Sequence, residues 1–218
     1  MKTIQPLIII LLGPPGVGKG SQAVKIHKSR HLPHISTGDI LRANIKEKTP
    51  LGLQTQSIIE KGELVSDEII NKMVLERISE QDCKKGFILD GYPRTLAQAH
   101  VLEKALDPQA MIKVIMYSAK NETIVKRISG RLTCKHCGQV FHSTLNPPKK
   151  LNICDNCSHE LMQRKDDQAE IVLERLKIYQ KEIDPLVQFY HQKGLLQSIS
   201  CEGSIDETFT QANLYLNS

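Results

Sequence analysis

Tryptophan is absent from the 218 residues and aromatics make up only 4%. No run approaches the roughly 20 apolar residues that a membrane span requires. Low-complexity stretches and internal repeats are missing too, which argues against a disordered chain or a solenoid. No block of five or six like charges occurs, so the net charge of +5 does not form a basic stripe. A phosphorylated small ligand accounts for such an excess as well as a nucleic acid does. The short apolar run after Lys2 resembles the start of an export signal. It is bounded by Pro6 and Gly13 and lacks a small-residue cleavage pattern, so a soluble, cytosolic protein is expected. Thiols stay reduced there, and the six cysteines read as metal ligands or packing residues before disulfides.

What is present suits one main domain carrying inserted pieces. Leu7 to Leu12 is a continuous apolar run, as in a strand covered on both faces of a parallel sheet, with a helix expected from about Gly18 to Ser29. Further strands are expected at Gly86 to Asp90, Met111 to Tyr117 and Leu195 to Ser200, separated by helical patterns. Ser66, Thr95 and Asn121 are expected helix caps. The alternation predicts an α/β fold: a parallel sheet with helices on both faces, of the P-loop type. Two regions interrupt it. Ser36 to Val65 reads as helical without a strong strand, and Gly130 to Asp167 holds cysteines, a Pro-Pro pair and polar turns. Both are expected over the strand ends, where ligands of open α/β sheets sit. The expected division is a core of 1–35, 66–129 and 168–218, an insertion at 36–65 and a lid at 130–167.

The stretch "GPPGVGKGS" carries a glycine-rich turn between strand and helix, a pattern that wraps backbone N–H groups around phosphates with Lys19 reaching them. Gly20 stands where the general motif has a hydroxyl, which arrives one place late at Ser21. "GFILD" ends in Asp90, a strand-end carboxylate suited to Mg²⁺ held directly or through water. "NKMV" lacks the aspartate of a guanine-specifying motif, and no transporter-type S-G-G-Q occurs. Six arginines, Arg42, Arg94, Arg127, Arg131, Arg164 and Arg175, fall where loops and helix ends should converge. Arg127 and Arg131 are four apart and are expected on one helix face. Each alone reads as a surface charge, but with the glycine loop they suggest a clamp on several phosphates.

"GPPGVGKGSQA", "ISTGDILR", "GELVSDE", "GFILDGYPRTLAQA", "GRLTC", "QRKDD" and "LERLKIY" together resemble the adenylate kinases of the long, bacterial type. The match spans nearly the whole chain, and glycine after the lysine is a mark of that family. The resemblance implies transfer of the terminal phosphoryl group of ATP to AMP, giving two ADP, by a cytoplasmic monomer with Mg²⁺. It implies that Gly16, Val17, Gly18, Lys19, Gly20 and Ser21 bind ATP phosphates and that Arg131, Val140 and Phe141 contact ATP from the lid. The acceptor side would use Thr37, Arg42, Glu63, Leu64, Val65, Gly91, Tyr92, Pro93, Arg94 and Gln98. Arg127, Arg164 and Arg175 would bridge the phosphates of the two nucleotides, and Ser200 would meet the donor adenine through its backbone, although "SCEG" departs from the usual D-G ending. Gln98 implies an adenine acceptor, since pyrimidine-accepting relatives tend to carry asparagine there. The competing reading makes Thr95 and Gln98 a capping box.

Cys134-x₂-Cys137 and Cys154-x₂-Cys157 fit a four-thiolate zinc pattern, closed and therefore structural. With few large apolar residues nearby, zinc would supply much of the folding free energy of the insertion. Two disulfides are the alternative. His136, His142 and His159 read as surface residues, Cys83 and Cys201 as packing residues. Ser158 replaces a usual turn glycine and "KKLNIC" lacks one, so altered turn geometry is expected there. Competing functions are a kinase for UMP or CMP, a small kinase acting on a sugar hydroxyl with Asp39 or Asp90 as base, and a zinc-ribbon ATPase that binds nucleic acid. The last has only Phe141 for base stacking in the cysteine-rich stretch and leaves "STGDILR" and "DGYPRT" unexplained.

Overall fold

The structure, a computed structural model, describes residues 5–218, so Lys2 lies outside it. The chain opens with β1 (Leu7–Leu12), α1 (Lys19–Arg30) and β2 (His34–Ser36). Next come α2 (Thr37–Lys46), α3 (Pro50–Glu60) and α4 (Asp67–Ile78), then β3 (Gly86–Asp90), α5 (Leu96–Ala105), β4 (Met111–Ser118) and α6 (Asn121–Ser129). Three short strands follow, β5 (Arg131–Cys134), β6 (Val140–His142) and β7 (Leu161–Met162). The chain then enters α7 (Ala169–Gln192), β8 (Leu196–Ser200) and α8 (Ile205–Asn217).

Five strands form a parallel sheet in the order β2-β3-β1-β4-β8. Successive residues of a strand face opposite sides, and β1 feeds both. Ile8, Ile10 and Leu12 pack with Ile70, Val74, Leu102 and Tyr190 of α4, α5 and α7. Ile9 and Leu11 pack with Ala23 and Ile26 of α1 and with Ala212 and Leu216 of α8. The run is apolar throughout because neither face meets water, and the helices on both faces were expected. β2 was not expected. It is a three-residue edge strand, too short to show a period, and it pairs Ser36 with Asp90.

The register brings the ends of three strands together. Leu11 of β1 and Ser36 of β2 both lie beside Asp90 of β3, so the loops that begin at Gly13 and Gly91 and the start of α2 share one edge. At that edge stand two outgrowths. α2 and α3 make one, joined by a tight turn in which the Thr49 hydroxyl accepts the Gly52 N–H at 3.1 Å and Pro50 occupies the first helical turn. β6-β5-β7, a separate antiparallel sheet, makes the other.

Two expected local features differ. Asn121 does not cap α6. It is the first helical residue, Lys120 precedes it, and Glu202 from a distant loop accepts the Lys120 N–H at 2.5 Å and the Thr123 hydroxyl at 2.9 Å. A carboxylate at a helix N-terminus is favourably placed, so a tertiary contact has taken over the local cap. Arg131 does not share the helix of Arg127 either, because α6 ends at Ser129 and Arg131 begins β5.

Candidate functional site

The loop between β1 and α1 depends on glycine. Gly16 and Gly18 take φ of 79° and 113°, where a side chain is strained. A Cβ on Gly16 would run into the Ile128 side chain, whereas one on Gly18 would point into open space above the loop. Gly18 is the residue before helix α1 and no side chain caps it, so the first-turn N–H groups lack a capping partner, an arrangement suited to an anion. Lys19 folds over the loop and donates to the carbonyls of Gly13 and Pro14 at 2.7 and 2.9 Å. Burial, reinforced by Arg94, Arg175 and Arg131 against the opposing pull of Asp90, lowers its ammonium from 10.5 to about 8. Position 20 faces Asp90: a Cβ on Gly20 would sit 3.4 Å from the Asp90 carboxylate. Ser21 is exposed, and Val17 is buried beneath the loop. Asp90 itself accepts from His34 Nε2 at 3.3 Å, a partner contributed by the unexpected strand β2.

One continuous cleft runs from this loop to α2 and α3, with Gly62, Leu64, Gly91, Arg94 and Arg175 lining both of its halves. The half beside the loop adds Lys19 and Pro93, and the far half adds Thr37, Arg42, Glu63, Val65 and Gln98. Tyr92 does not face the cleft. It is fully buried, its hydroxyl donating to Asn71 at 2.6 Å. Thr37, also buried, donates to the Gly91 carbonyl at 3.0 Å.

Five of the six arginines converge. Carboxylates hold three of them: Arg42 on Asp39 at 2.6 Å, Arg175 on Asp166 at 2.7 Å and Arg131 on Asp167 through two hydrogen bonds. Arg94 donates to the Gly91 carbonyl at 2.8 Å and Arg164 to the Thr133 hydroxyl at 2.9 Å. Burial and then repulsion from Arg175 bring Arg94 down to about 10, and burial and then repulsion from Arg42 and Arg131 do the same to Arg164. A guanidinium does not give up its charge at neutral pH, so neighbouring arginines repel one another and a polyanion relieves that repulsion. Asp166 and Asp167, the partners that sequence reasoning had not singled out, were visible only as the end of "QRKDD". Their carboxylates occupy guanidinium forks that fit phosphate oxygens equally well.

Arg127 is the exception. It donates to the Val17 carbonyl at 3.0 Å and the Cys201 carbonyl at 2.6 Å, and so spans the glycine loop and the turn after β8. Two backbone carbonyls thus hold the guanidinium beside Ser200. Val140 is exposed on the edge of the small sheet, whereas Phe141 packs inside it with Cys134, Cys154 and Leu161.

Gln98 resolves the capping-box question. Its backbone N–H donates to the Thr95 hydroxyl at 3.1 Å, so Thr95 does cap α5. Its side chain does not complete the box. Oε1 accepts the Arg94 N–H and Nε2 donates to Asp67, both at 2.7 Å.

In the lid the four sulfurs of Cys134, Cys137, Cys154 and Cys157 lie within 4.8 Å of one another. Cys134–Cys157 is 3.4 Å and Cys137–Cys154 3.6 Å, and all four thiols are free. Tetrahedral bonds of about 2.3 Å would separate sulfurs by about 3.8 Å, so the set fits one ion and no disulfide is formed. The two halves fold alike: Gly138 and Ser158 donate back to the carbonyls of Cys134 and Cys154. Ser158 and Asn152 take the left-handed conformation at φ 59° and 57° themselves, so the altered geometry expected at Ser158 is not found. Desolvation opposes ionisation at Cys134 and Cys137. Even so, backbone N–H groups of Cys137 and His136 at the first and of Gln139 at the second bring both thiols below their usual range. His136 and His159 stack face to face at 4.0 Å, an arrangement in which in-plane lone pairs run parallel instead of converging on a second ion. His142 is buried, contrary to expectation. Its Nδ1 accepts from the Thr144 and Leu145 N–H groups, which leaves Nε2 to donate to the Lys126 carbonyl.

A family profile described as adenylate kinase matches residues 11–195. The chain is 47% identical over 203 residues to the adenylate kinase of Caldanaerobacter subterraneus subsp. tengcongensis, covering 92% of each. It is 50% identical over 203 residues to that of Methanosarcina mazei, with 92% of this chain and 94% of the relative covered. It is 48% identical over 208 residues to that of Clostridium beijerinckii, with the same coverage. A glycine loop, a cluster of five arginines beside it and a four-cysteine lid on one parallel sheet, carried by a sequence this similar over its length, mean that the chain belongs to the adenylate kinase family.

Proposed function

We propose that the protein catalyses reversible transfer of the terminal phosphoryl group of ATP to AMP, giving two ADP. The observation that carries this is the convergence of Lys19, Arg42, Arg94 and Arg175 on one cleft, with Arg131 and Arg164 as charged neighbours of these groups and carboxylates in the forks that phosphates would take. The acceptor phosphate of AMP, with a second pKa of roughly 6, is mostly a dianion at pH 7 and needs no general base. The chemistry instead calls for neutralising two repelling phosphate groups, aligning them in line and excluding water.

In this reading residues 16–21 hold the ATP phosphates, and Lys19 leaves the Gly13 and Pro14 carbonyls for them. Arg94, Arg164 and Arg175 stand between donor and acceptor, Arg131 reaches from the lid, and Arg42 and Thr37 hold the AMP end with Glu63 to Val65 and Gly91 to Pro93. Arg127, given its two carbonyl partners, is assigned to the donor base beside Ser200 and not to the phosphates. Mg²⁺ accompanying ATP suits the face of Gly20 and Asp90, where a carboxylate can order its waters and the ion supplies charge neutralisation. Cys134, Cys137, Cys154 and Cys157 would hold a structural Zn²⁺, which fixes the lid fold and takes no part in transfer. Residues 36–65 and 130–167 are assigned as the closing insertions over a core of 1–35, 66–129 and 168–218. A reducing, cytoplasmic setting suits the free thiols, and a monomer suffices, since one chain supplies every cation named.

Phosphorus NMR of the protein with ATP, Mg²⁺ and each monophosphate in turn tests the proposal. AMP is converted to ADP far ahead of UMP and CMP. ADP accumulating equally without an acceptor would identify an ATPase and remove the arginine-clamp argument.

A further inference from the structure

The amide of Gln98 is held from two sides by groups that cannot exchange roles. Oε1 accepts the Arg94 N–H at 2.7 Å, and Nε2 donates to Asp67 Oδ1 at 2.7 Å. Turning the amide over would set two donors against each other at Arg94 and two acceptors against each other at Asp67, so each contact alone disfavours the flip. Asp67 is itself braced, its Oδ2 accepting the Thr95 hydroxyl at 2.8 Å while that hydroxyl caps α5. It also lies in the first turn of α4, at the favourable end of the helix dipole for a carboxylate. Gln98 is 3% exposed and lines the far half of the cleft, whereas Asp67 does not line it.

Hydrogen-bond capacity then fixes what the amide offers a ligand. Of two N–H groups and two lone pairs, one of each is taken, which leaves one donor and one acceptor in a single order. We propose that Asp67 is a positioning residue that locks this order and so makes the site choose bases by donor and acceptor sequence. The inference rests on the reading that Gln98 meets the acceptor base. Adenine presents its 6-amino donor beside a ring-nitrogen acceptor and matches the locked amide in a bidentate pair. Hypoxanthine, guanine and uracil present a carbonyl acceptor beside a ring N–H, the reverse order, and an amide free to turn would accept them. Cytosine has adenine's order, so this lock does not separate AMP from CMP.

The test compares kcat/KM for AMP, inosine monophosphate and CMP at saturating Mg-ATP in wild type, Asp67→Ala, Asp67→Ser, Asp67→Asn and Gln98→Ala. Inosine monophosphate reverses the order without adding the 2-amino group of guanine. Asp67→Ala and Asp67→Ser lower the AMP to inosine monophosphate ratio about tenfold, the cost of one lost directional hydrogen bond, while the AMP to CMP ratio holds. Asp67→Asn, which can turn its own carbonyl to Nε2, restores the ratio. An equal loss for AMP and inosine monophosphate in the Ala and Ser variants overturns the inference, leaving Asp67 a support of the fold. If the ratio survives in Gln98→Ala, the base-contact reading fails and the inference fails with it. Should the Ala and Ser variants not fold, the intact protein decides. One side-chain N–H of Gln98 stays protected from exchange when AMP binds, and its release on binding would overturn the lock.

Discussion

The two outgrowths over the sheet edge are of similar size and are built on opposite principles. The α2–α3 arm shares the core of the main sheet: Leu41 and Val65 are buried in the same cluster as Ile10 and Leu89, and Leu51, Ile58 and Ile59 pack against it. The four-cysteine sheet has its own small cluster of Cys134, Phe141, Cys154 and Leu161, to which only Leu132 and Cys157 are added. So few apolar side chains bury too little surface to offset the entropy of ordering nearly forty residues. Thiolate–metal bonds can supply what packing does not. An arm that borrows its core can therefore be damaged only through packing, and a lid that lacks one can be unfolded by chemistry alone.

The largest expected effect follows from that contrast. Stripping the metal with a chelator, or replacing Cys154 with Ser, removes amide hydrogen-exchange protection from residues 131–162 and leaves α2 and α3 protected. The midpoint of thermal unfolding falls by several degrees, at roughly 2–4 °C per kcal/mol for a chain of this size. Hydrogen exchange resolved along the chain checks it, and protection retained throughout the lid would break the comparison. Next in size is the reverse experiment. Gly52 is buried where α3 crosses α2, and a Cβ there would enter the backbone of Asn44. Gly52→Val costs about 1–3 kcal/mol by overpacking and raises KM for AMP several-fold, while metal content, measured by atomic absorption, stays at one ion per chain.

The contrast also decides what could be read from the sequence. The three inner strands β1, β3 and β4 were legible because they carry apolar runs, the edge strand β8 because it follows a helical pattern as the alternation requires, and the four cysteines because ligand spacing is a local property. β2 was not, since three residues at a sheet edge have no period, and with it went the His34–Asp90 contact. The convergence of five arginines was legible as a hypothesis from their places at loop and helix ends. The diversion of Arg127 was not, because the Val17 and Cys201 carbonyls that hold it lie 110 and 74 residues away in sequence. Ser158 misled for a physical reason: a left-handed residue is merely costly for serine, and a metal knuckle determined on both sides can hold it there.

A third prediction separates the cleft from the lid by pH. Lys19, lowered to about 8 mainly by burial, is largely neutral at pH 9 in the empty protein, and triphosphate beside it raises its pKa again. ATP binding at pH 9 therefore takes up on the order of one proton at this group, and almost none at pH 7, where the lysine is already charged. The sign for folding is the opposite: the folded value lies below the unfolded one, so folding releases a proton where ATP binding takes one up, and this group adds stability as pH rises from about 8 towards 10.5. Calorimetric titrations with ATP in buffers of different ionisation enthalpy read the proton count. Uptake at pH 9 that persists in Lys19→Met would assign it elsewhere.

The smallest effect concerns the contact between the two outgrowths. Lys165, just past the lid strands, pairs with Glu60 at the end of α3 at 2.9 Å, and Lys46 of α2 donates to the Lys135 carbonyl of the lid at 3.2 Å. Both ties are at the surface, where such pairs are screened by salt and offset by side-chain ordering. Gln56 also donates to the Glu60 carboxylate, and a glutamine at position 60 keeps that hydrogen bond. Glu60→Gln should therefore change kcat/KM for AMP by less than about twofold at 150 mM salt and somewhat more at 10 mM, where the Debye length reaches about 30 Å. A tenfold loss at the higher salt would mean that the arm and lid depend on each other through this pair. Their independence, argued from separate cores, would then hold for folding but not for closure.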